Sequence, residues 1–208
     1  MHIIVTGGNG FVGKELLGLA VKKGYDVTYL ARYEGGGYPF SHPQVHYRYS
    51  DLVNDKDFPQ INNADALIHL VGAFKPKDLK KGNVKSLEGS IKFAKSNQID
   101  TVILLSAKMG YPAYVRSKQK AESLLKQSGL KYGILQSSLI FGRERPLANT
   151  IGHFAQMFQG VPFINIPIKL LHPIPVQDVA EKLLCLVESH PQKRILNLFP
   201  SYLVPKKE

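Results

Sequence analysis

The chain has 208 residues, of which 44% are hydrophobic and 21% are charged, so it is long enough to bury a substantial core. The formal net charge is +11, and one cysteine, Cys185, excludes an intramolecular disulfide. No stretch reaches the roughly 18 continuous apolar residues of a membrane span, and the start lacks the pattern of a secretion signal. We therefore expect a cytoplasmic globular protein.

The first 13 residues, MHIIVTGGNGFVG, lead from a short apolar strand through glycines into a helix. A glycine at position 7 or 8 permits a tight turn, and Gly10 lets the backbone approach a pyrophosphate. Gly13 allows the helix to pack closely on the strand. The motif predicts a dinucleotide-binding turn at a helix N-terminus, formed by Gly7, Gly8, Asn9, Gly10, Phe11, Val12 and Gly13. The alternative is a glycine-rich turn that only satisfies packing.

Strands and helices alternate along the rest of the chain. Strands are predicted at 25–30, 45–49, 66–71, 101–105, 132–136 and 194–198, and helices at 13–23, 83–96, 114–128, 149–159 and 176–189. This alternation predicts an α/β fold, a doubly wound parallel sheet with right-handed crossovers. We expect a single domain over residues 1–208, with a small substrate lobe at about 140–176 near the C-terminus.

The end of the second strand bears on the choice of cofactor. A site that prefers NAD places an acidic residue there, which accepts hydrogen bonds from the ribose hydroxyls. Ala31 stands at this position, and Arg32 supplies a cation that suits a 2′-phosphate. The sequence therefore favours NADP(H) over NAD(H). The alternative is a solvated arginine at a strand end.

Tyr114 and Lys118 lie four residues apart and so share one face of a predicted helix. A neighbouring ammonium favours the phenolate and lowers the pKa of a tyrosine from its usual value near 10. Tyr114 could then transfer a proton to a carbonyl oxygen, oriented by Ser106 at the end of the fifth strand. The alternative is that Tyr114 packs in an amphipathic helix and Lys118 is a surface cation paired with Glu122.

Several motifs, in order, resemble signatures of the extended and atypical short-chain dehydrogenases/reductases. The segment TGGNGFVG resembles TGGxGFxG, and YVRSK followed by Ala121-Glu122 resembles YxRSKxxAE. Further on, QSSLIFG resembles RPSxxFG, and PVQDVA resembles V-x-DVA. The atypical branch with the NmrA-like proteins and the accessory nucleotide-binding subunit of respiratory complex I is most similar. The resemblance also implies similarity to the NAD-dependent epimerases/dehydratases.

The resemblance implies roles for particular residues. It makes Ser106, Tyr114 and Lys118 catalytic, with Lys118 also binding the nicotinamide ribose. Asp51 would contact the adenine ring, and further cofactor contacts would come from Leu52, Leu70, Val71, Gly72, Ser137 and Ser138. The chain departs from the family in three places: Ser106 and Tyr114 are only eight residues apart, Gln136 replaces an arginine, and Ser137 replaces a proline.

The substrate and partners are less sharply indicated. Mostly apolar residues are candidates for a pocket suited to a flat, weakly polar molecule, although they equally suit a core: Ala73, Phe74, Met109, Leu139, Phe141, His153, Met157, Phe158, Phe163 and His172. His153 and His172 lack metal-ligand spacing, so no metal is predicted. The lysines are dispersed without interleaved aromatics, which favours a solvated basic face over nucleic-acid binding.

Two functions therefore stay open. The first is an NADPH-dependent oxidoreductase that transfers hydride to a small carbonyl or quinone-like compound. The second is a non-catalytic NADP(H)-binding protein that senses redox state or stabilises a complex. The oligomeric state is left open.

Overall fold

A computed structural model of the protein describes residues 1–32, 42–146 and 173–198, and the structural statements below concern these residues. The predicted helix at 149–159 and most of the predicted substrate lobe at about 140–176 lie outside them. So do five pocket candidates, His153, Met157, Phe158, Phe163 and His172.

A seven-stranded parallel sheet forms the centre of the described structure. Its strands are β1 (His2–Thr6), β2 (Asp26–Ala31), β3 (Val45–Tyr49), β4 (Ala66–His69), β5 (Thr101–Ala107), β6 (Lys131–Ser137) and β9 (Lys193–Asn197). They lie in the order β3-β2-β1-β4-β5-β6-β9, and every neighbouring pair is parallel. Two short strands, β7 (Ile140–Phe141) and β8 (Ile174–Pro175), pair separately. The predicted doubly wound α/β fold is confirmed.

Four described α-helices cover the sheet: α1 (Phe11–Lys22), α2 (Ser86–Ser96), α3 (Pro112–Gln127) and α4 (Val176–Glu188). A 3₁₀ turn (Pro76–Asp78) and a π-helical turn (Lys80–Lys85) precede α2. The helix predicted at 83–96 therefore begins within a π-helical turn, and α2 starts at Ser86. Pro112 opens α3, a position where proline loses no helical hydrogen bond.

The sheet is buried on both faces, as its continuous apolar strands require. Side chains alternate between two core layers: Ile3 and Val5 pack with α1 and α4, whereas Ile4 packs with α2 and α3. One helical layer is held by residues such as Leu17 and Leu183. Because all seven strands run in the same direction, their carboxyl ends lie along one edge of the sheet.

Gly89 lies where α2 packs against the loop after β3. A Cβ atom at this position would overlap the carbonyl oxygen of Leu52, whereas a Cβ at Gly18 in α1 would meet no atom within 4 Å. The missing side chain of Gly89 thus sets the distance between α2 and the Asp51–Leu52 turn.

We expect Gly89→Ala to lower the free energy of unfolding by about 3 kcal/mol, because the backbone of α2 or of the turn must move. Gly18→Ala is the matched control. It should raise the free energy of unfolding by about 0.5–1 kcal/mol, because alanine has the higher helix propensity and its methyl group has room there. Urea unfolding measures both. Equal effects of the two substitutions would contradict the packing assignment.

Candidate dinucleotide-binding and active site

The carboxyl ends of β1 and β4 meet at the point where the strand order reverses, which is where open parallel sheets bind ligands. The Leu70 backbone N–H donates to the Thr6 carbonyl oxygen at 3.0 Å. Gly7 has φ +75°, and a Cβ there would lie 3.1 Å from the Val71 nitrogen. The glycine turn and the segment 70–72 therefore form adjoining walls of one crevice.

The glycines of the turn have different tasks. A Cβ at Gly13 would overlap the carbonyl oxygens of Gly7 and Gly8, so Gly13 is required for α1 to pack on the turn. A Cβ at Gly8 would lie 2.8 Å from the Cβ of Tyr29. A Cβ at Gly10 would meet the Gly7 carbonyl oxygen at 3.1 Å and no other atom within 4 Å. Internal packing thus leaves room at Gly10 for a ligand.

The N-terminus of α1 is open to an anion. Gly10 is its N-cap residue and makes no side-chain capping hydrogen bond, while the Lys14 N–H donates to the Gly10 carbonyl oxygen at 2.9 Å. The N–H groups of Phe11, Val12 and Gly13 precede this first helical bond and point out of the helix end. Such groups and the helix dipole suit the negative charge of a pyrophosphate. The residues present fit the phosphates of a dinucleotide.

Lys118 is buried, with 6% of its surface exposed, so it is not the surface cation of the alternative interpretation. Its Nζ donates to the Leu105 carbonyl oxygen at 3.4 Å and would lie 3.2 Å from a Cβ at Gly72. Burial lowers the pKa of Lys118 to about 8, against a smaller opposing effect of Glu122. The ammonium therefore lies beside the segment 70–72 and is charged at neutral pH.

Asn83 is a site residue that sequence reasoning missed. It is buried in the π-helical turn, where its Oδ1 accepts the Ala73 N–H at 2.8 Å and its Nδ2 donates to the Ala73 carbonyl oxygen at 3.0 Å. The same Nδ2 donates to Ser117 Oγ at 2.9 Å. Asn83 thus joins the loop after β4 to α3, next to Lys118. In the sequence, Asn83 stands out only as an amide side chain within a lysine-rich segment.

Tyr114 lies one helical turn before Lys118 and is 6% exposed. Its ring stacks on that of Phe74, with centroids 5.0 Å apart, and the Tyr111 hydroxyl donates to the Phe74 carbonyl oxygen. Burial raises the pKa of Tyr114, and Tyr111 adds to this. The expected lowering of this pKa is therefore wrong, because burial disfavours the charged phenolate. Tyr114 is a protonated phenol at neutral pH.

Ser106 is buried at the end of β5, and its hydroxyl donates to Glu122 Oε1 at 2.5 Å. Gln136 Nε2 donates to the two oxygens of the same carboxylate at 2.9 and 3.0 Å. The structure therefore gives the Ser106 hydroxyl a carboxylate partner. Gln136, which departs from the family arginine, has a neutral amide that satisfies Glu122. The Ala121-Glu122 motif was noticed in the sequence, but this role of Glu122 was not.

Asp51 lies in the turn after β3, close to Arg32 at the end of β2. Its Oδ1 accepts the Val53 N–H at 3.0 Å, and its Oδ2 accepts the Asn54 side-chain amide at 2.7 Å. Burial acts to raise the pKa of Asp51, but these hydrogen bonds and the Arg32 guanidinium hold it below its usual value. The carboxylate is therefore engaged within its own turn, which carries Leu52 beside α2.

The remaining sequence-predicted residues flank this site. Ser137 ends β6 and donates through its hydroxyl to the Ser106 carbonyl oxygen at 3.3 Å, and Ser138 follows it. Ala73 and Phe74 follow β4, Met109 follows β5, and Leu139 and Phe141 follow β6. Within the described ranges, no group of three His, Cys, Asp or Glu residues is placed to hold a metal ion.

His69, at the end of β4, holds the strand to its neighbours. Its Nδ1 lies 2.9 Å from Thr6 Oγ1 and 2.8 Å from Ser90 Oγ. Its Nε2 is buried and has no hydrogen-bond partner among the residues that the structure describes. Burial, with a smaller effect of the Lys118 charge, lowers the pKa of His69 to about 3. A neutral imidazole thus braces β1, β4 and α2 beneath the crevice.

Comparison with solved structures agrees with this fold. A UDP-galactose 4-epimerase matches with a TM-score of 0.73 and 20% identity, over 96% of this chain and 77% of that chain. The Bordetella bronchiseptica enzyme WbmH in complex with NAD+ matches at 0.71 and 15%, over 95% and 75%. The Campylobacter jejuni UDP-Glc/GlcNAc 4-epimerase matches at 0.71 and 15%, over 95% and 78%. At these identities the likeness shows the fold.

A protein-family model indicates the class of ligand that the chain binds. The model described as NAD(P)H-binding matches residues 7–152, which include the glycine turn, the segment 70–72 and Lys118. No helix within the described ranges is both long enough and apolar enough to cross a membrane. The chain therefore belongs to the NAD(P)H-binding family, with the Rossmann-type fold shared by the short-chain dehydrogenases/reductases and epimerases.

Proposed function

We propose that the protein is an NADPH-dependent oxidoreductase that reduces a small carbonyl or quinone-like compound, with Tyr114 as the proton donor. One observation carries this proposal. The glycine turn adjoins the segment 70–72, Lys118 Nζ lies beside Gly72, and Tyr114 lies one turn from Lys118. These contacts support a site in which the phosphates, the ribose and the reacting carbonyl are bound in that order, from the glycine turn to Lys118 and Tyr114.

Each group has a task in that reaction. A bound nicotinamide cofactor supplies the hydride. The open N-terminus of α1 at Gly10 binds the pyrophosphate, and Lys118 binds the ribose hydroxyls. Tyr114 gives its proton to the substrate oxygen as negative charge develops there. Because burial raises the pKa of Tyr114, the phenol keeps its proton at neutral pH but is a weaker acid than an exposed tyrosine, so the transfer depends on the negative charge that develops on the substrate oxygen.

The preference for NADP(H) rests on the end of β2. Ala31 offers no carboxylate to the adenine ribose, and the Arg32 guanidinium lies close enough to Asp51 to lower the pKa of that carboxyl. A cation at this edge favours a 2′-phosphate. Asp51 keeps its carboxylate engaged in its own turn, so it competes weakly for a ribose hydroxyl.

The substrate class is suggested by the aromatic residues over Tyr114. Phe74 is 47% exposed and stacks on the Tyr114 ring, and Tyr111 lies 6.0 Å from that ring between centroids. An exposed aromatic platform favours flat, weakly polar molecules. Because several similar structures are named as epimerases of UDP-sugars, these sugars are the competing substrates to be assayed.

A second function is favoured by the Ser106–Glu122 hydrogen bond. Because this bond occupies the hydroxyl that would orient a substrate carbonyl, the site retains cofactor contacts without a complete set of reacting groups. A non-catalytic NADP(H)-binding protein that senses redox state or stabilises a complex uses the same crevice. The two functions differ in whether Tyr114 turns substrate over.

Gly10→Val should abolish NADPH binding while the protein stays folded, because Gly10 has extended backbone and faces open space where the pyrophosphate approaches. Gly13→Ala should instead lower the free energy of unfolding, since its Cβ would overlap two carbonyl oxygens. Calorimetric titration and urea unfolding separate the two effects. Unchanged NADPH affinity in Gly10→Val would remove the turn from the cofactor site.

Arg32→Ala should reduce NADPH affinity by about tenfold or more and leave NADH affinity nearly unchanged, because a charge-assisted phosphate contact contributes roughly 1.5–3 kcal/mol. Arg48→Ala, on the exposed edge strand β3, is the matched control and should change neither. Titration of all three proteins with both cofactors provides the measurement. Equal losses for NADPH and NADH, or a wild-type preference for NADH, would refute the assignment.

Tyr114→Phe should lower turnover roughly 10²–10⁴-fold with little change in NADPH affinity, since it keeps the stacked ring and removes the exchangeable proton. Tyr132→Phe, near the opposite end of the sheet, should leave turnover intact. The screen covers quinones, small carbonyls and UDP-sugars. Activity that survives in Tyr114→Phe would exclude Tyr114 as the donor, and tight NADPH binding with no turnover on any substrate would establish the non-catalytic function.

A further inference from the structure

The positive charge of the chain is concentrated on one side of the sheet. Residues 75–95 and 112–127 contain eleven lysines and arginines but three acidic residues, Asp78, Glu88 and Glu122, which gives +8 of the chain's net +11. Ten of these cations are exposed and define what we call the basic face: Lys75, Lys77, Lys80, Lys81, Lys85, Lys92, Lys95, Arg116, Lys120 and Lys126. The sequence-based expectation of dispersed lysines does not hold in three dimensions.

The two helices of the basic face form one surface. α2 and α3 bury Leu87 and Phe93, and Ala121 and Leu125, respectively, in the same core layer. Their outer positions recur every three or four residues, as at Lys85, Glu88, Lys92 and Lys95. Within the described part of the chain, the one ion pair on this face joins Lys126 to Glu122 at 3.8 Å. Within the same described part of the chain, no intramolecular ion pair neutralises the other nine exposed cations.

An exposed aromatic side chain borders the basic face. Phe74 is 47% exposed and directly precedes Lys75, with Lys77, Lys80 and Lys81 in the turns that follow. Lysines around an exposed aromatic ring are typical of protein surfaces that lie at the headgroup level of a bilayer. Charge and apolar exposure therefore coincide at one end of this face.

We propose that the basic face docks on the surface of an anionic lipid bilayer, with Phe74 entering the headgroup region. Nine of the ten exposed cations are lysines, whose flexible ammonium groups suit mobile headgroup phosphates. A polynucleotide platform would instead interleave aromatic rings with the cations along the strand path, and the outer positions of α2 and α3 carry none. A second copy of the chain would bring two faces of like charge together.

The test is sedimentation of the full chain with vesicles of phosphatidylcholine, with and without phosphatidylglycerol. We expect binding only to the anionic vesicles, and weaker binding as salt is raised. The triple substitution Lys80→Glu, Lys81→Glu, Lys85→Glu should weaken binding at least about tenfold, since it reverses three headgroup contacts. Phe74→Ser should weaken it severalfold without changing the salt dependence, because it removes apolar contact and no charge.

The matched control carries the same change in net charge elsewhere. Lys22, Lys182 and Lys193 are exposed on α1, α4 and β9, and replacing these three by glutamate should leave vesicle binding nearly unchanged. Equal weakening by both triple substitutions would show a net-charge effect and overturn the proposal. If the first triple variant does not fold, as judged by its circular dichroism spectrum, Lys81→Gln with Lys85→Gln tests the same face and should weaken vesicle binding severalfold.

Other partners give distinguishable outcomes. The proposal is overturned if the wild-type chain does not bind anionic vesicles at low salt. It is also overturned if polyuridylate or polyglutamate binds more tightly than the vesicles at equal salt, or if the chain forms a dimer that the Lys80, Lys81 and Lys85 substitutions dissociate. Because vesicle binding does not require turnover, its failure is independent of the proposed reaction.

Discussion

The close packing of α1 on the turn after β1 is the constraint on which the rest of the site depends. Gly13 brings the helix against the carbonyl oxygens of Gly7 and Gly8, and Gly7 brings the same turn against Val71 at the end of β4. Two backbone segments can approach this closely only where side chains are absent. The result is a crevice with an exposed helix N-terminus at Gly10, in which bound phosphates would face N–H groups that no side chain caps.

Burial in a low dielectric environment determines the protonation of two side chains of α3, Lys118 and Tyr114. Burial lowers the pKa of Lys118 to about 8 and raises that of Tyr114, so one helix turn carries an ammonium near its titration range and a phenol that keeps its proton. Asn83 ties this region to the loop after β4, and Glu122 ties α3 to the ends of β5 and β6 through Ser106 and Gln136. Polar groups to which the sequence analysis gave a substrate contact or no role therefore hold α3 in position.

The two layers on the sheet differ in their surfaces. α1 and α4 enclose the core layer around Leu17 and Leu183, whereas α2, α3 and residues 75–85 before α2 carry most of the excess positive charge. That charge lies beside Phe74, which in turn stacks on Tyr114. The proposed docking on an anionic surface and access to the crevice thus involve the same end of the basic face. Substitution of the lysines should alter the first property, and substitution of Tyr114 should alter the reaction in the crevice.

The sequence by itself determined the alternating elements, the doubly wound sheet and the glycine turn, because side-chain periodicity and glycine stereochemistry act over a few neighbouring residues. Strand β3 at Val45–Tyr49 was predicted to the residue, whereas the π-helical turn before α2, in which Asn83 bonds to the distant Ala73, was not. The preference for NADP(H) and the catalytic roles stay predictions. The tertiary structure alone decided that Ser106 binds Glu122, that burial raises the pKa of Tyr114, and that scattered lysines share one face. Each of these depends on which distant residues, and how much water, surround a group after the sheet has formed.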